Sequence, residues 1–318
     1  MPALRANIHG MHPIEIHALT SLGVIRIDGP EAAGFLQAQV TADLRGLAPG
    51  TSTLAAWCSP QGRVIALLRI GPVADGYLAV LPRELCGSVH ERLRRFVLRS
   101  RVAITDVSAG LAVVGISGRE PGALDAVPPS HGELVVLRLP ASRELLIGTA
   151  EALGAATAGL DPAGDDAWEA RCIAEGEPEV YASTSESWVP QMLNLDLLGA
   201  VSFRKGCYPG QEIVARTQNL GRIKRRMFRY HVGGPSLPAA GAALFLGKSK
   251  VGEVVRSVRR AATGQLLAVV SLDAAGVGLT DETGEATCSP EPLPYAVPEA
   301  GEAVSGERMA DGGWRIEG

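Results

Sequence analysis

Val201-Ser202-Phe203-Arg204-Lys205-Gly206-Cys207-Tyr208-Pro209-Gly210-Gln211-Glu212-Ile213-Val214-Ala215-Arg216-Thr217 is the stretch on which the reading of this chain turns. Cys207 follows Lys205 by two places, on a bend made of Gly206, Pro209 and Gly210, just before a predicted helix start. A neighbouring ammonium and the positive end of a helix both favour a thiolate. The glycines let backbone approach a ligand closely. Gln211 and Glu212 fall in the first helical turn, where free N–H groups also bind anions. The residue types alone leave two readings open. One is a working thiol with Lys205 as its charge partner; the other is a structural cysteine in a tight turn.

The rest of the chain narrows the choice. Its 318 residues suggest two or three domains, and 46% apolar content suffices for real cores. The net charge of −4 argues against non-specific polyanion binding as the main task. The five cysteines include no CxxC pair, so neither a zinc site nor an iron–sulfur cluster has its usual ligand spacing, and no metal is expected. Reduced thiols in a cytoplasmic protein are the expectation. No apolar run is long enough for a signal peptide or a membrane span. His9, His12 and His17 read as part of an ordinary N-terminal tail.

Strand and helix signals interleave along the first two thirds. Leu22–Ile27, Leu54–Trp57, Arg63–Ile70, Tyr77–Leu81, Leu111–Ile116, Glu133–Leu139 and Glu144–Ile147 read as strands. Helices are predicted after Pro30, over Arg83–Ser100, around Gly122–Ala126, over Glu151–Ala158 and Asp165–Ile173, and from Gly210 to a cap at Gly221. After Gly221 the pattern becomes strands and glycine-rich turns, as in a small β-barrel. From Asp281 an edge strand and a loose tail are expected. Gly247-Lys248-Ser249 lacks the earlier glycine of a phosphate-binding loop and reads as a hairpin.

Lys205-Gly206-Cys207-Tyr208-Pro209-Gly210-Gln211-Glu212 closely resembles the signature of the YgfZ family of folate-binding proteins, relatives of the glycine-cleavage T-protein. Val189–Asp196, Val201–Phe203 and Val214–Arg216 resemble its flanks. Phe35–Leu44, Cys58–Arg63 and Lys250–Val255 resemble its opening helix, first hairpin and barrel hairpin. The resemblance spans about residues 22–275. It implies an α+β, three-lobed T-protein-like fold with ferredoxin-like lobes and a C-terminal β-barrel around a folate channel. The expected lobes are residues 1–50 with 155–222, then 51–154, then 223–318.

The resemblance also implies tetrahydrofolate or a derivative as cofactor, and a role in making or repairing iron–sulfur enzymes, including tRNA-modifying ones. The partners would be folate and iron–sulfur client or assembly proteins, with no membrane and no direct nucleic acid. Cys207 would be the working thiol, near the channel mouth, and Lys205 its activator. Tyr208, Gly210, Gln211, Glu212 and Arg216 would support the signature or folate, as would Glu175 and, at the barrel junction, Arg222, Arg225 and Arg226. The T-protein transfers an aminomethyl group with an aspartate; here Cys86 falls at that place, which counts against a folate-dependent one-carbon transferase. Glu175 lies one residue from the T-protein's pterin-gripping carboxylate and equally suits a solvated loop. Arg92, Arg94, Arg95, Arg99 and Arg101 read first as a solvated helix face. A directly tRNA-binding modification factor is the remaining alternative, and the acidic balance speaks against it.

Overall fold

The computed structural model describes residues 14–118, 134–219 and 223–298, with two short paired tail strands at Gly306–Arg308 and Trp314–Ile316. The helix predicted around Gly122–Ala126, the cap at Gly221, and Arg222, His9 and His12 lie outside the described residues. Strand β1 (Glu15–Ala18) is followed by β2 (Leu22–Asp28), α1 (Ala32–Gln37), β3 (Thr53–Cys58), β4 (Val64–Val73), β5 (Gly76–Pro82), α2 (Arg83–Arg94) and β6 (Ala103–Asp106). Then come β7 (Ala112–Ser117), β8 (Val135–Leu139), β9 (Arg143–Gly148), α3 (Ala150–Ala156), β10 (Asp161–Ala163) and α4 (Asp165–Ala174).

Two five-stranded sheets result, ordered β3-β4-β5-β2-β6 and β10-β1-β7-β9-β8. Successive strand residues point to opposite faces, and the sequence uses both. Ile25, Ile27, Ala79 and Leu81 pack under α1 and α2, whereas Val24, Leu78 and Val80 meet Val113, Leu145 and Ile147 of the second sheet. This explains the near-continuous apolar run of β4, whose first eight residues are all buried. Gly115 of β7 is open because a Cβ there would stand 2.6 Å from the Trp168 ring.

The sheets do not divide where the lobes were expected to. β2 pairs with β5, across the expected boundary at residue 50, and β1 pairs in parallel with β10. Residues 22–106 build one sheet unit; 15–18 with 112–163 build the other. Local reading assigns a strand to its sequence neighbours, whereas Glu15 and Asp161 meet through the fold. His17 is a correction of the same kind: it is fully buried in β1. Its Nδ1 donates to the Gly164 carbonyl at 3.2 Å, and its Nε2 meets the Ser117 hydroxyl at 3.0 Å.

After α4 the chain runs irregularly to α5 (Gln211–Asn219) and enters a closed six-stranded barrel. Its strands are β11 (Arg225–Gly233), β12 (Ala243–Leu246), β13 (Ser249–Arg260), β14 (Thr263–Ser271), β15 (Leu279–Thr280) and β16 (Thr287–Glu291). Leu246 faces Ser249 across the turn at Gly247-Lys248, so the predicted hairpin is present. The segment from Asp281 is not loose throughout. β16 closes the barrel on β11, and the Tyr295 hydroxyl donates to the Gly176 carbonyl at 2.8 Å. A third core joins the parts: Leu54, Ala56 and Leu67 pack with Ile173, Trp188, Leu195 and Val214, and with Met227 and Val255 of the barrel.

Candidate functional site

The signature loop is built from one buried cation and two close-packed turns. Lys205 is only 6% exposed, and its Nζ donates to the Val40 and Ala42 carbonyls at 2.6 and 2.7 Å. Burial pushes its pKa down to about 8, with Asp43 opposing. The ammonium also lies 5.5 Å from the centre of the buried Tyr208 ring. Two residues on, Cys207 is exposed. Among the described residues no hydrogen bond joins Lys205 to Cys207; the ammonium is committed to the loop after α1 and ties that loop to the signature.

Gly210 has φ +79°, a backbone region that L side chains rarely adopt. A Cβ there would run into the Ser59 carbonyl and lie 2.7 Å from Gly62 Cα. Gly62, with φ +69°, leaves only 2.9 Å between its own Cβ position and Ile213. Thus the Ser59–Gly62 turn and the signature, two motifs nearly 150 residues apart in the chain, fit each other backbone to backbone. Gln211 opens α5 with its N–H on the Tyr208 carbonyl, while Glu212 and Arg216 point to solvent. Val214 is fully buried, and the Gln191 side-chain amide donates to its carbonyl at 2.8 Å.

The basic run that follows splits in two. Arg225 is exposed. Arg226 is 2% exposed and grips Asp196 with two bonds of 2.7 and 2.9 Å, adding a third to the Gln191 carbonyl. This bidentate pair clamps β11 to the segment before the signature, so Arg226 is spent on architecture.

A separate cavity of about 580 Å³ opens between the two sheets, the start of α4, the Glu177–Tyr181 segment and β13. No residue from Lys205 to Glu212 lines it, so Cys207 is not at its wall. Trp168 supplies an aromatic wall, and Arg143 stands over that ring at 5.5 Å. Glu177 accepts from Arg69 at 2.6 Å and from Arg143 at 2.7 Å. Burial alone would raise its carboxyl, but the two guanidiniums hold it far below the usual carboxylate range. Arg256 of β13 forks onto Glu169 at 2.7 and 3.0 Å and donates to the Glu177 carbonyl at 2.9 Å.

Glu179 differs from these paired groups. Burial pushes its carboxyl up to about 7, against the pull of Arg256 and a backbone bond from Val180. It therefore faces the cavity able to hold a proton near neutral pH. At the rim lie Arg83, whose guanidinium donates to the Ser108 carbonyl, and Glu84, which accepts from the Ala182 N–H. Glu175 is not on the wall; the lining carboxyls of this segment are Glu177 and Glu179. The sequence signal for them was the run Glu175-Gly176-Glu177-Pro178-Glu179, dense in acids where the chain turns under a barrel. Cys86 is 1% exposed beneath the Ser108 hydroxyl, which donates to its sulfur at 3.7 Å; it belongs to the core under α2.

One antiparallel and one mixed five-stranded sheet, with a closed barrel, around a central cavity define a class, that of the glycine-cleavage T-protein fold. The crystal structure of the aminomethyltransferase T of the glycine cleavage system from Bartonella henselae superposes with a TM-score of 0.68, at 16% identity, over 92% of this chain and 89% of that one. Sequence narrows the class. The tRNA-modifying protein YgfZ of Edwardsiella ictaluri is 32% identical over 309 residues, covering 89% of this chain and 93% of the relative. The protein of that name from Cronobacter sakazakii is 29% identical over 333 residues, covering 94% and 97%. The chain belongs to the YgfZ family. No family model matches the chain.

Proposed function

We propose that this protein binds a reduced folate in its central cavity and serves as an accessory factor for iron–sulfur enzymes that modify tRNA, with Cys207 as its working thiol. The observation that carries the folate reading is the cavity itself: about 580 Å³, within the size range of small-molecule sites, walled by Trp168 and fronted by the Glu179 carboxyl, which has no ion-pair partner among the described residues. A pterin is a flat ring edged with N–H donors and acceptors. Glu179 would meet that edge, Trp168 a ring face, and Arg83 at the rim a carboxylate of the glutamate tail. Bound tetrahydrofolate supplies a one-carbon carrier. The chain's own part is to bind and orient it, exclude water, and hold or release a proton at the Glu179 carboxyl.

The tRNA context rests on relatives described as tRNA-modifying proteins. Among the described residues no helix is long and apolar enough to cross a membrane, and the cytoplasm is the proposed location. Aminomethyl transfer is the weaker reading. It needs a carboxylate on the amine, and Cys86 is buried away from the cavity at the expected place.

Titration calorimetry with 5-formyltetrahydrofolate tests the proposal. One-site saturable binding, weakened about tenfold or more in Glu179→Gln, is expected from the loss of one charged hydrogen bond. Failure of the unmodified protein to bind any reduced folate overturns it.

A further inference from the structure

Away from the cavity, the acidic chain carries a strongly basic, partly aromatic surface. α2 ends at Arg94, and an irregular turn leads on through residues 95–102 to β6. Arg94, Arg95, Phe96, Leu98 and Arg99 are all exposed, Phe96 by 47% and Leu98 by 87%. Among the described residues Arg94, Arg95 and Arg99 have no ion-pair partner, whereas Arg92 is held by Glu186 at 3.0 Å. A solvated helix face would not add a half-exposed phenyl ring and a nearly naked leucine to three free guanidiniums.

The ring is also fixed. Phe96 meets the buried Trp57 edge-on at 6.5 Å between ring centres, and Arg92 lies over Trp57 at 5.5 Å. Trp57 in turn bridges to Val40, whose carbonyl receives Lys205. The turn is therefore coupled through packed residues to the signature loop, where Phe203, Arg204 and Cys207 are exposed. Within a Debye length of about 8 Å at physiological salt, the local charge decides attraction, not the chain's total of −4.

We infer that the Arg94–Arg99 turn is a docking surface for a single-stranded RNA loop, with phosphates on Arg94, Arg95 and Arg99 and an unstacked base on Phe96. Guanidiniums alone would suit any polyanion. The exposed, immobilised ring between them selects RNA over an acidic peptide, because unpaired bases offer faces to stack on and a polyglutamate chain does not. The exposed thiol of Cys207 would then lie on the loop joined to this surface. This goes beyond the folate reading and fails separately from it.

Filter binding of the full-length protein to an unmodified tRNA transcript over a salt series tests the surface. The triple variant Arg94→Glu, Arg95→Glu, Arg99→Glu is expected to lose at least tenfold in affinity. The slope of log affinity against log salt should flatten by about 2, the share of three phosphate contacts on a single strand. Phe96→Ala should weaken binding about tenfold, and Phe96→Tyr should restore it. Unaltered melting and an unaltered 5-formyltetrahydrofolate titration show that each variant is folded. RNA affinity unchanged in the folded triple variant overturns the inference, as does competition by polyglutamate equal to that by RNA per charge.

Discussion

The cavity and the signature loop handle buried charge in opposite ways. The buried guanidiniums at and behind the cavity wall each meet a carboxylate: Arg69 and Arg143 share Glu177, and Arg256 holds Glu169. In the signature loop the buried ammonium of Lys205 bonds to no carboxylate among the described residues; it donates to the carbonyls of Val40 and Ala42. The first arrangement fixes the walls of the cavity and, among the described residues, leaves the Glu179 carboxyl without a cation bonded to it. The second uses a cation as a tether for backbone and leaves the neighbouring thiol in solvent. A site that holds a ligand needs rigid, internally neutralised walls; a loop that presents a thiol to another macromolecule needs a firm base and an open tip.

The largest effect that could break this comparison is at Glu177. Glu177→Gln leaves Arg69 and Arg143 buried without the carboxylate they share, and loss of one partner of a buried pair typically costs about 3–5 kcal/mol. Urea denaturation at pH 7 measures it. The sign with pH follows from the depressed carboxyl: its contribution is present above an unfolded value of about 4.3 and is lost as pH falls below it. The variant should therefore differ from the parent most at neutral pH and converge with it in acid. An equal deficit at pH 7 and at pH 2–3 would show that Glu177 acts by packing and not by charge.

Gly210→Ala comes next and probes the base of the signature loop. The substitution strains a positive φ and forces the loop off the Ser59–Gly62 turn, for a cost of about 1–3 kcal/mol. Because that turn also carries the start of β4, the first hairpin should loosen with the loop. Hydrogen exchange would show faster exchange in residues 58–64 and 205–212 together. Loosening of the signature alone would mean that the two motifs are neighbours without being coupled.

An effect of the other sign belongs to Glu179. Its carboxyl is raised to about 7, so between about 4.3 and 7 the folded state binds more protons than the unfolded one. Its contribution to stability is full below that range and declines as pH rises through it. Glu179→Gln keeps a neutral hydrogen-bonding group and removes the decline. Relative to the parent, the variant should gain stability from pH 5 to pH 8, while Glu177→Gln loses it from acid to neutral pH. Parallel stability–pH curves for parent and Glu179→Gln would end the distinction between the two carboxyls.

Much of this molecule was legible in its sequence, for identifiable reasons. The octapeptide at Lys205–Glu212 is dense in residues that packing does not require, and it carried the family and with it the fold. Alternation and turn glycines gave β2–β5 and the barrel strands. Short β1 and β10 were invisible because their pairing joins residues 15 and 161, and neither is long enough to show a period. The paired roles of Arg226 and Glu177 were equally hidden. A charged residue's type does not say whether its partner is water or a side chain folded back upon it.

Cys207→Ala has the smallest physical effect and the most direct bearing on function. An exposed side chain with no packing to lose should change stability by no more than about 0.5 kcal/mol. It does not line the cavity, so folate affinity should also be unchanged. A strain carrying this variant is nevertheless expected to lose activity in cluster-dependent tRNA-modifying enzymes, read as unmodified nucleosides in bulk tRNA. Only that combination separates a working thiol from a structural one. If modification persists while the protein is folded and binds folate, the exposed tip of the signature is dispensable. The buried tether at Lys205 and the fit of Gly210 against the hairpin would then be what the octapeptide is for.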